Sequence, residues 1–135
     1  MSFFQWEQRY ALGFESIDED HKVLVGLINE LFESISKGEG NRAIQGIVSR
    51  LVDYGRNHFK REEFYMQSIN YPETLTHTFQ HNEFIKKIDG FVEKLDAGVN
   101  RISVEVITFL RDWLINHILH TDKKFVMELL KHNLH

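Results

Sequence analysis

The sequence predicts an all-α protein: an up-down-up-down antiparallel four-helix bundle that follows an N-terminal arm and ends in a short C-terminal helical extension. Three observations carry this. Apolar residues recur at helical spacing along four long segments, and no strand-like alternation is sustained enough to compete. The breakers between the segments are brief: SKGEGN at 36–41, INYPE at 69–73 and DAGVNRIS at 96–103. Connections this short favour antiparallel neighbours. With 135 residues, 42% of them hydrophobic, the chain is large enough for one continuous core, so 1–135 reads as a single domain.

The first helix is expected at about 19 to 37, capped by Asp18 or Asp20, with the stripe Leu24, Ile28, Leu31 and Ile35; one step back along that stripe stands His21. The second is expected at about 41 to 67, capped by Asn41, with Ile44, Val48, Leu51 and Gly55 leading to His58, Glu62, Tyr65 and Ile69. Pro72 suits the first turn of the third, to about 96, whose stripe reads His77, His81, Ile85, Ile88, Val92 and Leu95. Ser103 can cap the fourth, where Val106, Leu110 and either Trp113 or Leu114 precede His117. Tyr54, Tyr65 and Tyr71 read as core and loop aromatics.

Composition narrows the chemistry. The absence of Cys excludes disulfides, iron-sulfur clusters and thiolate zinc sites, so a metal would need nitrogen and oxygen ligands. A net charge of -4 without a Lys/Arg block argues against nucleic acid or an anionic membrane as partner. No segment approaches the roughly 20 apolar residues of a membrane span, and the start has no basic, apolar leader pattern. A soluble, cytoplasmic monomer is expected.

Five of the eight histidines, together with Glu62, fall on core faces. One such His is ordinarily a hydrogen-bonded core residue; five imidazoles and a carboxylate need partners that aliphatic stripes do not offer. A shared cation would satisfy them together. The spacings agree: His58 with Glu62, and His77 with His81, are i,i+4 pairs that can meet one ion. In an antiparallel bundle the start of the first helix, the end of the second, the start of the third and the end of the fourth lie at one end, so His21, His58, Glu62, His77, His81 and His117 share a depth.

The stretch NHILHTD, 116–122, breaks the pattern. Beyond His117 the next polar residue in line with Phe125 and Leu129 is Asp122, five residues on. On a regular helix that step rotates about 140°. Either the face is wide there or the helix carries a π-bulge, a distortion common at functional sites. His117 and Asp122 are assigned to the site and His120 to its rim.

His21, HFKRE (His58, Glu62), HTFQH (His77, His81) and HILHTD (His117, Asp122) resemble the signature of the hemerythrin family in its bacterial form, over nearly the whole chain and with all seven ligand positions in order. His120 stands where that family usually has a small residue such as Gly. The resemblance implies two non-haem iron ions. One would take His77, His81 and His117, the other His21 and His58, with Glu62, Asp122 and a solvent-derived oxo or hydroxo as bridges. It further implies reversible O2 binding, as a hydroperoxide, at the two-histidine iron, in a pocket formed by Phe59, Leu114 and Ile118. Storage, delivery to an O2-consuming enzyme and sensing with a separate partner are the expected uses. The alternative is a di-iron redox enzyme: an oxidase, peroxidase or nitric oxide scavenger. No enzyme is expected, because the Glu-x-x-His of carboxylate-rich di-iron bundles is absent, as is the His-Glu-x-x-His of zinc hydrolases. Glu63, one step round from Glu62, is expected to be a bystander.

Overall fold

The computed structural model describes residues 3–39, 41–96 and 104–132. Four helices, α1 (Glu15–Ser36), α2 (Asn41–Ser68), α3 (Thr74–Asp96) and α4 (Val104–Asn116), form a four-helix bundle, with no strand among the described residues. Helix α1 packs against both α2 and α4, and α2 against α3. From α4 the chain continues through a π-helical turn, His117–Asp122, into α5, Lys123–Lys131. Backbone angles stay helical on both sides of that turn, so the expected C-terminal extension is a continuation of the fourth rod. The caps expected at Ser103 and at the Asn41 side chain, and the stripe positions Leu95 and Val106, lie outside the described residues or side chains. No described helix is long and apolar enough to cross a membrane.

The first helix starts four residues earlier than expected, and neither expected cap operates as one. Gly13, at φ +88°, turns the chain. Asp18 then accepts hydrogen bonds from the N–H groups of Leu12 (2.8 Å) and Gly13 (3.1 Å) from within the first turn. The helix ends where Gly38 adopts φ +70°, its N–H donating to the Ile35 carbonyl while that of Glu39 donates to Ser34, an αL stop of Schellman type. Pro72 lies just outside α3 rather than in its first turn; Thr74 donates through Oγ1 to the Tyr71 carbonyl at 2.6 Å. The arm is fastened to α1 by Asn29, whose amide exchanges two 2.7 Å hydrogen bonds with the backbone of Phe4.

The interior is divided. A larger apolar cluster contains Leu24, Ile28, Leu31, Val48, Leu51, Phe84, Ile88, Leu110 and Leu114. A smaller one contains Phe14, Ile17, Met66, Tyr71, Phe125, Val126 and Leu129. Along each rod the seven polar residues lie between members of these clusters: Ile17, His21, Leu24 in α1, and Leu114, His117, Asp122, Phe125 in the last. In α3 the inward line is Phe84, Ile88 and Phe91, while the expected Ile85 and Val92 are only half-buried. In α2 the line passes from Glu62 to Met66, leaving Tyr65 half-buried. A buried Met or Phe in these lines stabilises the fold by about 1.5–3 kcal/mol relative to exposure.

Candidate metal centre

All seven residues singled out from the sequence converge between the two apolar clusters. His21, His58, Glu62, His77, His81, His117 and Asp122 are each at most 3% exposed. The π-helical turn explains the five-residue step: its i→i+5 bonding takes up one extra residue per turn, so His117 and Asp122 reach the same interior. Asp122 Oδ1 lies 3.1 Å from His117 Nε2. His120, between them in sequence, is exposed and lines a surface groove with Gln80 and Trp113.

The two carboxylates divide their oxygens between two groups of histidines. Asp122 Oδ1 lies 2.9 Å from His77 Nε2, and Glu62 Oε1 lies 3.0 Å from His81 Nε2. On the other side Asp122 Oδ2 lies 3.0 Å from His21 Nε2, and Glu62 Oε2 lies 3.5 Å from His58 Nε2. Two sets result: Glu62, His77, His81, His117 and Asp122, and His21, His58, Glu62 and Asp122, each with its ligand atoms within 4.8 Å of one another. Around a cation with bonds of about 2.1 Å at right angles, neighbouring ligand atoms sit about 3.0 Å apart, close to the 2.9 to 3.6 Å between imidazole nitrogens and carboxylate oxygens here.

The donor chemistry demands cations. Both oxygens of Glu62 and of Asp122, and Nε2 of His21, His58 and His77, are buried without an aligned hydrogen-bond partner. Each such atom costs about 1–3 kcal/mol if left so. His81 and His117 make the point geometrically: their Nε2 atoms face each other at 3.1 Å. The Nδ1 of His81 faces the Glu63 carboxylate at 3.1 Å and that of His117 faces the Gln80 side-chain oxygen at 2.9 Å. Each Nδ1 therefore carries the proton and donates, leaving the two opposed Nε2 atoms as acceptors. A metal ion between them turns this conflict into ligation.

The electrostatics match. Burial and the neighbouring Asp122 push the Glu62 carboxyl up, yet His58, His77 and His81 outweigh them and hold it at about 2. Burial disfavours charge on His77, but Asp122 and Glu62 override it and raise that imidazole to about 9. His117 moves the other way, its charged form penalised chiefly by burial. Metal binding to His77 thus displaces a proton.

Aromatic rings brace the ligands. Phe59 stacks on His81 with centroids 3.9 Å apart, Trp113 stacks on His117 at 4.4 Å, and Phe125 meets His77 edge-on at 5.4 Å. Leu114 and Ile118 are buried in the larger cluster that also holds Phe59.

Three polar residues beyond the sequence-derived set hydrogen-bond to its histidines. Glu63 is no bystander, since it accepts from His81 across the α2–α3 interface. Gln80 accepts from both His117 and Thr121 Oγ1, the latter at 2.9 Å. Asp20 accepts from His58 Nδ1 at 2.9 Å and from the Tyr54 hydroxyl at 2.8 Å, so Tyr54 is a donor near the site rather than a plain core aromatic.

Comparison with known proteins places this arrangement. Residues 12–129 match the family described as "Hemerythrin HHE cation binding domain". A bacteriohemerythrin of Clostridium acetobutylicum is 30% identical over 127 residues, covering 91% of this chain and 98% of its own length. A hemerythrin-like protein of Naegleria gruberi is 29% identical over 122 residues, 90% of each chain. Among solved structures, wild-type hemerythrin superposes with a TM-score of 0.85 at 27% identity, covering 92% of this chain and 95% of that one. The chain belongs to the hemerythrin family, di-iron proteins that bind O2.

Proposed function

We propose that the protein binds O2 reversibly at its di-iron centre, as a single cytoplasmic domain that stores O2, delivers it to an O2-consuming enzyme, or reports it to a sensory partner. The observation that supports this reading is the unequal division of ligands. His77, His81 and His117 with one oxygen each of Glu62 and Asp122 make five donors, and His21 and His58 with the other two oxygens make four. If both metals share one further, solvent-derived oxo or hydroxo bridge, the second set is one ligand short of the first, which reserves a position for an exogenous molecule. Those residues would hold an iron pair, which would supply two electrons to O2 and recover them when O2 leaves.

The remaining work falls to the chain. Nitrogen-rich ligation would commit both carboxylates inside the site, Glu62 and Asp122, to the metals, and the apolar residues Phe59, Leu114 and Ile118 exclude water that could deliver protons. Excluding water strengthens every interaction inside the site and prevents side reactions.

Anaerobically reduced protein exposed to O2, degassed and re-exposed should gain, lose and regain a charge-transfer absorption band over repeated cycles. Irreversible oxidation within one cycle, with continued consumption of added reductant, would replace the carrier with a redox enzyme. In the same assay Leu114→Ala is expected to shorten the lifetime of the oxygenated form severalfold, and an unchanged lifetime would remove Leu114 from the pocket.

A further inference from the structure

The ligand histidines are not anchored alike. Among the five, His58 alone has its Nδ1 on a buried carboxylate, that of Asp20, which is 7% exposed. The Nδ1 of His117 meets a neutral amide oxygen, and that of His81 meets Glu63, whose side chain is 29% exposed. His21, the other histidine of the four-ligand set, has no hydrogen-bond partner at Nδ1. Asp20 is itself held from both sides. Its Oδ1 accepts from Tyr54 at 2.8 Å, and its Oδ2 accepts from Arg61 Nε at 3.1 Å and Nη2 at 2.6 Å as well as from His58. Tyr54, His58 and Arg61 stand on one face of α2 at i, i+4 and i+7, so a single helix supplies every donor to this one carboxylate from α1.

We propose that Asp20 is the positioning residue of the two-histidine metal, orienting His58 and setting its donor strength, and that Arg61 and Tyr54 set how much of Asp20's negative charge reaches His58. This rests on the two-metal reading of the site. A carboxylate accepting from Nδ1–H fixes the tautomer, leaves Nε2 bare towards the metal and raises its basicity, an outer-shell role whose loss typically costs 10–100-fold in metal affinity. Basicity at His58 stabilises the ferric over the ferrous ion. Because Arg61 and Tyr54 draw charge from Asp20 through their hydrogen bonds, they moderate that effect, and the two kinds of substitution should act in opposite senses. A carboxylate that merely staples α1 to α2 would not behave this way.

Two measurements test it. In a Co2+ titration of the metal-free full chain followed by its visible bands, wild type should bind two ions, and Asp20→Asn should weaken one of them 10–100-fold while leaving the other unchanged. In spectroelectrochemistry of the iron-loaded protein, Asp20→Asn should raise the ferrous-to-ferric ratio at a fixed potential by roughly tenfold, a shift of about 59 mV for a one-electron couple, and Arg61→Gln should lower it. Tyr54→Phe should follow Arg61→Gln with a smaller change. If Asp20→Asn fails to fold, the sign of the Arg61→Gln and Tyr54→Phe shifts still decides, and shifts towards the ferrous form overturn the proposal. So do two unchanged Co2+ affinities in Asp20→Asn. A wild-type chain that takes up a single Co2+ removes the two-metal reading itself.

Discussion

Glu62→Ala and Asp122→Ala should each empty the centre of both metal ions rather than one. Each carboxylate places one oxygen in the five-ligand set and the other in the four-ligand set, so either truncation removes a donor from both ions at once. It also leaves imidazoles facing each other in a dry interior, as His81 and His117 do at 3.1 Å, with nothing to share. Glu63→Ala should weaken metal binding by about 10–100-fold and leave both sites formed, the usual cost of removing a partner of a ligating imidazole. Elemental analysis and metal titration read the difference. Equal, complete losses from Glu62→Ala and Glu63→Ala would show that the two acids share one role, contrary to their positions.

His117→Ala should lose the three-histidine metal, and with it the occupancy of the second ion through the shared carboxylates, whereas His120→Ala should keep both. The two side chains are three residues apart, but the π-helical turn carries His117 inward and leaves His120 on the surface. His117 is also locked from two sides, by Gln80 at Nδ1 and by the stacked Trp113 ring, so its loss unsettles more than one contact. Iron content and the spectrum of the oxygenated form separate the two variants. Loss of iron in His120→Ala with retention in His117→Ala would reverse the assignment.

The convergence of the seven residues was legible because histidines and carboxylates at i,i+4 spacing contradict an aliphatic stripe, and because bundle topology brings their ends together. The turn at 117–122 was legible only as one of two alternatives: a polar pair five residues apart in an otherwise regular stripe fits either a wide face or an extra residue in one turn, and the structure has the extra residue. Helix phase was less so. After His81 both Phe84 and Ile85 are apolar, one at i+3 and the other at i+4, and periodicity admits either; packing against the neighbouring rods turns Phe84 and Phe91 inward. Asp20 and Glu63 were misread for another reason. An acid at the start of a helix looks like a cap, and an acid beside a ligand looks like solvent-facing charge. Their partners lie 38 and 18 residues away, on other helices, where no local pattern reports them.

One buried cluster is expected to hold two metal ions through two shared carboxylates. Quantifying iron per chain after anaerobic loading with excess ferrous ion and removal of the unbound metal tests it most directly. Two iron ions per chain are expected, since nine ligand atoms in two sets exceed what one ion takes up. A plateau at one iron per chain would contradict it.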